Sequence, residues 1–212
     1  MSQPYVLHTY FRSSASWRVR IALGLKGLNW QNAFLHLLQD EHKSAAYLAL
    51  NPQGLIPTLQ VDEGVLTQSV AICEYLDEVH PMPRLLPADP FRRARVRAFV
   101  LAIACEIHPL QNSGVLQRLR QLGLPQEDVM GWARDVIDRG FEACASMIAE
   151  ETGPYCFGEQ LTLADVFLVP QMGNARRYGA KFDRPRFLEI EAACMALPAF
   201  AGAVPEVQPD AS

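Results

Sequence analysis

The chain has 212 residues and is 50% hydrophobic, enough for one large globular domain or two small ones, which excludes a disordered or fibrous protein. Its net charge of −4 at pH 7 gives no general attraction to nucleic acid or to a membrane surface, so any anion site must be built locally from a few arginines. The five cysteines (Cys73, Cys105, Cys144, Cys156, Cys194) are widely spaced and lack a C-x-x-C pair, which suits reduced thiols better than a disulfide scaffold.

In chain order, "YVLHTYF" reads as a strand, Trp17 to Lys26 as a helix, "WQNAFLHL" as a strand and "SAAYLAL" as a short helix. After "NPQGLIP", the runs "PTLQV" and "VLTQ" flank the turn signal "DEG" and predict an antiparallel pair, and "SVAICEYLDEV" follows as a helix. The predicted order is β-α-β-α-β-β-α. Pro81, Pro83, Pro87 and Pro90 then mark a linker, so one domain is expected over 1–83 and a second over 84–212.

The second domain is expected to be all helical. Val96, Phe99, Val100, Ile103 and Ile107 form one apolar face, and Val129, Trp132, Val136, Ile137, Phe141 and Ile148 another. "LTLADVFLVPQ" begins with a capping signal in which Thr162 is the N-cap and Asp165 reaches back. Pro109 and Pro170 fall within apolar-periodic segments and are expected to kink them, opening space for a ligand. The start "MSQPYVLHTY" lacks the features of a signal peptide and no apolar run reaches membrane-spanning length, so a cytoplasmic protein with no nucleic-acid or membrane partner is expected.

Chemistry is concentrated where strands hand over to helices. Ser13 and Ser14 precede the first helix, at a corner where unpaired backbone N–H groups favour anions. A thiolate held there gains from the helix dipole and from a donated O–H bond. Ala15 and Ser16 follow, so the corner has no cysteine and a thiol would have to arrive with a cofactor. By itself a Ser-Ser pair reads first as a helix cap. In "NPQGLIPTL", Ile56 is held extended by the following proline and can offer its backbone to a peptide alongside. Gln68 and Ser69 stand at a strand end and a helix start, a position suited to a carboxylate. The five histidines show no ligand spacing and there is no phosphate-binding glycine loop, so no metal is expected.

Together these segments resemble the glutathione site of the cytosolic glutathione transferases. "SSASWRVRIAL" is similar to the "SSCSWRVRIAL" signature of the zeta class, the maleylacetoacetate and maleylpyruvate isomerases, and the resemblance extends through "NPQGLIPTL", "QSVAICEYL", "HPLQN", "LTLAD" and "LVPQMGNARRY". It implies a thioredoxin-like N-terminal domain, a helical C-terminal domain, a cis bond before Pro57 and a homodimer. By position it implies that Ser13 activates the thiol of glutathione, that Ser14 is the second hydroxyl of the motif, that Gln53 and Ile56 hold the glutathione backbone, and that Gln68 and Ser69 hold its γ-glutamyl carboxylate. Ala15 departs from the pattern, which often has cysteine there.

The reaction so implied is cis-trans isomerisation of a small dicarboxylic keto acid in aromatic catabolism, by thiolate addition, rotation and elimination. Its carboxylates need cations, for which Arg12 and the pair Arg176 and Arg177 are candidates. The resemblance points to Arg177, with Arg176 turned to solvent because neighbouring helical residues diverge by about 100°. Arg18 and Arg20 read as packed stems or partners of an acidic neighbour, and His108 as a contact to glutathione or substrate. Two other readings remain at this point: conjugation or dehalogenation of α-halo acids and other electrophiles, and a non-catalytic binding module with the same fold.

Overall fold

The computed structural model describes residues 5–211. The chain forms two compact units, one made of the residues up to Arg84 together with those from Met195 onward, the other of Leu85–Cys194. The C-terminal segment thus lies with the first unit, whereas the sequence assigns all of 84–212 to the second. Two features hold it there. Buried Arg20 donates from Nε and Nη2 to the Ala203 carbonyl at 3.1 and 3.0 Å, and a Cβ placed at Gly24 would lie 3.1 Å from that of Ala199, a closeness that glycine permits.

The first unit contains β1 (Tyr5–Thr9), α1 (Ser14–Leu25), β2 (Trp30–Phe34), α2 (Ala45–Leu50), β3 (Thr58–Val61), β4 (Gly64–Thr67) and α3 (Ser69–Val79). One four-stranded sheet has the order β2-β1-β3-β4, with β1 and β2 parallel and the other pairs antiparallel. This is the βαβαββα order of a thioredoxin-like unit. α1 starts at Ser14 rather than Trp17, because Ser13 caps it: its Oγ accepts the Ser16 N–H at 3.1 Å and its carbonyl accepts the Trp17 N–H at 2.8 Å.

Leu7, Val19, Ile21, Leu23, Leu59, Ile72 and Leu76 are fully buried and supply the apolar core of this unit. At the end of α1, Lys26 Nζ meets Asp77 Oδ1 of α3 at 2.6 Å and donates to the Pro83 carbonyl at 2.5 Å. Such a buried pair adds little over apolar packing, but losing one partner strands a charge at a cost of about 3–5 kcal/mol. It therefore ties α1, α3 and the end of the unit together.

The second unit contains α4 (Pro90–Leu101), which runs on into a π-helical segment (Ala102–Ile107), then α5 (Ser113–Gln121), α6 (Gln126–Met147), α7 (Leu163–Tyr178) and α8 (Pro185–Met195). A short α9 (Pro198–Ala201) follows in the returning segment. Pro109 comes after the π-helical segment, in a turn rather than inside a helix, while Pro170 lies within α7, which continues past it. The expected faces of α4 and α6 are buried except at Trp132, which is 40% exposed and donates its indole N–H to the Leu110 carbonyl at 2.8 Å. Val129, Ala133, Val136 and Ile137 take the inward positions, leaving Trp132 at their margin.

α6 approaches the π-helical segment so closely that a Cβ on Gly140 would sit 2.3 Å from Ile107 Cγ1. Phe141 and Phe187 meet edge to face at 5.2 Å. The cap of α7 forms as expected: the Asp165 carboxylate accepts the Thr162 N–H at 2.8 Å, and Thr162 Oγ1 accepts the Ala164 N–H at 3.3 Å. Among the described residues no helix is long and apolar enough to cross a membrane.

Candidate active site

The turn from β1 into α1 presents Arg12 and Ser13. Ser13 is partly exposed, Arg12 is exposed with its guanidinium 5.1 Å from the Phe11 ring centroid, and Ser14 and Ala15 are buried in the first turn of α1. Because Ser13 Oγ accepts the Ser16 N–H, its own proton remains available to a group outside the helix. The hydroxyl and the positive end of a 12-residue helix thus act on the same point, where they favour an anion.

A second part of the site lies between α2 and α3. The Ile56–Pro57 bond is cis. The β3 ladder begins at Thr58, which leaves the Ile56 N–H and C=O outside it, available to an extended peptide. This loop is held from beneath: the Tyr47 hydroxyl donates to the Leu55 carbonyl at 2.6 Å and lies 2.7 Å from Thr58 Oγ1, and Asn51 Nδ2 donates to the same carbonyl at 2.7 Å. Asn51 Oδ1 also accepts the Gln53 N–H at 3.1 Å.

Gln68 Nε2 donates to Gln53 Oε1 at 2.9 Å, so the two exposed amides that the sequence marks meet at the surface. Gln68 has φ +69°, a strained conformation for a residue with a side chain, at the point where β4 hands over to α3. α3 starts at Ser69; the Ile72 N–H reaches the Gln68 carbonyl, so the earlier amide hydrogens of the turn precede the helical ladder. Buried Arg18 donates from Nη1 to Ser69 Oγ at 3.3 Å, which brings a cation to the end of α3 that favours a carboxylate. Ser13, Gln53, Ile56, Gln68 and Ser69 therefore all belong to the first unit.

The protein's buried thiols are poor nucleophiles. Burial pushes Cys73 and Cys144 up to about 12 and raises Cys156 and Cys194 as well. Cys105 is exposed but lies in the second unit, on the π-helical segment. The helix corner at Ser13 therefore suits a thiol carried in by a ligand, and the extended Ile56 backbone with the start of α3 suits a peptide-like ligand bearing a carboxylate.

His108 and Arg177 stand in the second unit. His108 follows the π-helical segment, is partly buried and donates its backbone N–H to the Ile103 carbonyl at 2.9 Å. Arg176 and Arg177 end α7 with different surroundings. Arg176 forms a two-pronged pair with Glu191, Nη1 to Oε1 at 2.5 Å and Nη2 to Oε2, and this bonding raises its proton affinity. Arg177 is exposed, 5.5 Å from the Tyr178 ring centroid, and among the described residues no carboxylate holds its guanidinium.

The sequence does not mark Tyr47, Asn51 and Thr58, and it offers Arg18 and Arg20 as packing or ion-pairing residues. Both are buried and Asp210 acts on Arg20, and Arg20 further donates to the Thr9 hydroxyl and to the carbonyls of Phe11 and Ala203. The available signal was the presence of polar side chains inside otherwise apolar segments, whose meaning depends on partners that the linear pattern does not show.

Residues 12–79 match the family model for the glutathione S-transferase N-terminal domain. The maleylacetoacetate isomerase of Pseudomonas aeruginosa is 49% identical over 208 residues, covering 96% of this chain and 97% of that protein. A holo structure of maleyl pyruvate isomerase, described as a bacterial glutathione S-transferase in the zeta class, superposes with a TM-score of 0.95 at 42% identity, over 98% of this chain and 100% of the other. Maleylacetoacetate isomerase from Anaeromyxobacter dehalogenans 2CP-1, with GSH bound in its active site, gives a TM-score of 0.90 at 42% identity, over 99% and 98% of the two chains.

Proposed function

This chain belongs to the zeta-class glutathione transferase family of maleylacetoacetate and maleylpyruvate isomerases, and we propose that it uses glutathione to convert such a cis acid into its trans isomer. The observation that carries the reading is the partly exposed Ser13 hydroxyl, capping α1 while its proton stays available to an external thiolate.

When bound, glutathione supplies a thiolate that adds to the substrate double bond and leaves after rotation about the resulting single bond. Ser13 donates a hydrogen bond from its hydroxyl to that sulfur and, with the positive end of α1, lowers its pKa. Ser14, buried behind it, fixes the first turn of the helix. The Ile56 backbone and the Gln53 side chain hold the peptide, and Gln68, Ser69 and the first amides of α3 hold its carboxylate, with Arg18 adding positive charge. His108 adds a contact to the bound cofactor.

Arg12 and Arg177 are assigned to the carboxylates and the developing negative charge of the acid, since both guanidiniums are exposed while Arg176 is occupied by Glu191. The unit made of the residues up to Arg84 and those from Met195 onward is accordingly assigned glutathione binding, and Leu85–Cys194 substrate binding. A homodimer is the assembly that the family resemblance implies, and α4 carries two exposed apolar side chains, Phe91 and Leu101. A cytoplasmic location accords with five free cysteines.

The test follows maleylpyruvate and maleylacetoacetate by NMR, with and without catalytic glutathione. Trans product with glutathione unconsumed is expected; no conversion of either acid, despite glutathione binding, would contradict the reading.

A further inference from the structure

The backbone of Phe11 is gripped on both sides of its Cα. Its N–H donates to Asp210 Oδ2 at 2.9 Å, and its carbonyl accepts from Arg20 Nη2 at 3.1 Å. Phe11 is one residue before Arg12 and two before Ser13, inside a turn closed by the Ser13 N–H on the Tyr10 carbonyl at 3.0 Å. The grip therefore acts on the backbone that leads into Ser13.

Both clamping groups depend on the C-terminal segment. Arg20 also donates to Ala203, while Gln208 Nε2 donates to the carbonyls of Gly202 and Val204 at 3.0 and 2.9 Å, folding the segment so that Asp210 returns to the turn. Burial pulls the Arg20 guanidinium down to about 10, and the Asp210 carboxylate opposes that pull, so the two groups also act on each other. An N–H on a surface turn would ordinarily be satisfied by water. Here a charged acceptor from the far end of the chain takes it, which fixes direction as well as satisfying the donor.

We propose that Asp210 is a positioning residue: with Arg20 it clamps the two peptide groups flanking Phe11, so that the ability of Ser13 to hold a thiolate depends on the C-terminal segment. The inference rests on the role given to Ser13 above. Neither Asp210 nor Arg20 touches the reacting atoms; both act through the turn.

The test compares the full-length wild type with Asp210→Ala and Asp210→Asn, reading the ultraviolet titration of bound glutathione, kcat and KM for isomerisation, and thermal melting. D210A is expected to shift thiolate formation to higher pH and to lower kcat about tenfold, as for loss of a hydrogen bond to a charged group, with KM for the acid within about twofold. In D210N the amide oxygen still accepts from Phe11, so most of the titration and kcat should return. D210A matching wild type in both readouts would overturn the proposal, as would equal losses in D210A and D210N. A wild type that binds glutathione yet forms no thiolate would instead overturn the role of Ser13 itself.

Discussion

In the first unit, several buried polar side chains hold backbone or helix starts near the site: Arg20 at Phe11, Tyr47 and Asn51 at Leu55, Arg18 at Ser69. In the second, Asp165 and Thr162 close a helix end, while α6 meets its neighbours through Ile107 against Gly140 and Phe141 against Phe187. The difference teaches where each unit is vulnerable. Removing one of these site-facing polar groups should misplace site atoms before it unfolds anything, whereas changing volume in the second should first reduce stability.

Ser13→Ala gives the largest expected effect. Loss of the donor should lower kcat about a hundredfold, and loss of the cap should cost only about 1 kcal/mol of stability. Steady-state kinetics alongside chemical denaturation separate the two; a stability loss that accounts for all of the lost activity would break the comparison.

Gly140→Ala probes the second unit. The added Cβ meets Ile107 at 2.3 Å, so Ile107 must shift, and overpacking of this kind costs about 1–3 kcal/mol. Denaturation should show that loss while the thiolate titration of bound glutathione stays in place. An altered titration with unchanged stability would contradict the division.

The smallest effects come from the arginines at the end of α7. Arg177→Ala should raise KM for the dicarboxylic acid about tenfold and leave neutral electrophiles little affected. Arg176→Ala removes a pair whose arginine side chain is 40% exposed, so it should cost less than about 1 kcal/mol and leave KM alone. Parallel kinetics on both variants sharpen the comparison, because the same helix end would then serve substrate at one position and folding at the next.

The parts of this arrangement that could be read in the sequence are those set by near neighbours. The strands, the turn after Val61, the Thr162 cap and the corner at Ser13 each follow from residues a few positions apart. α5, α8 and α9 do not stand out in the sequence; α9, only four residues long, depends on tertiary packing more than on its own propensity. Periodicity puts Trp132 inward, but Ala133 takes that place and the indole bonds to Leu110 at the surface. The roles of Arg20 and Tyr47 were hidden for another reason: their partners, Ala203 and Phe11, and Leu55 and Thr58, come together only in the fold. The cis bond before Pro57 was accessible only through the family resemblance.

The central claim is that the turn at Ser13 makes a borrowed thiol into a thiolate. Ultraviolet titration of glutathione bound to the wild type and to Ser13→Ala tests it most directly. The account predicts thiolate in the wild-type complex at neutral pH and a midpoint in the variant displaced toward that of a free thiol, about 8.5. Superimposable titrations of the two complexes would contradict it.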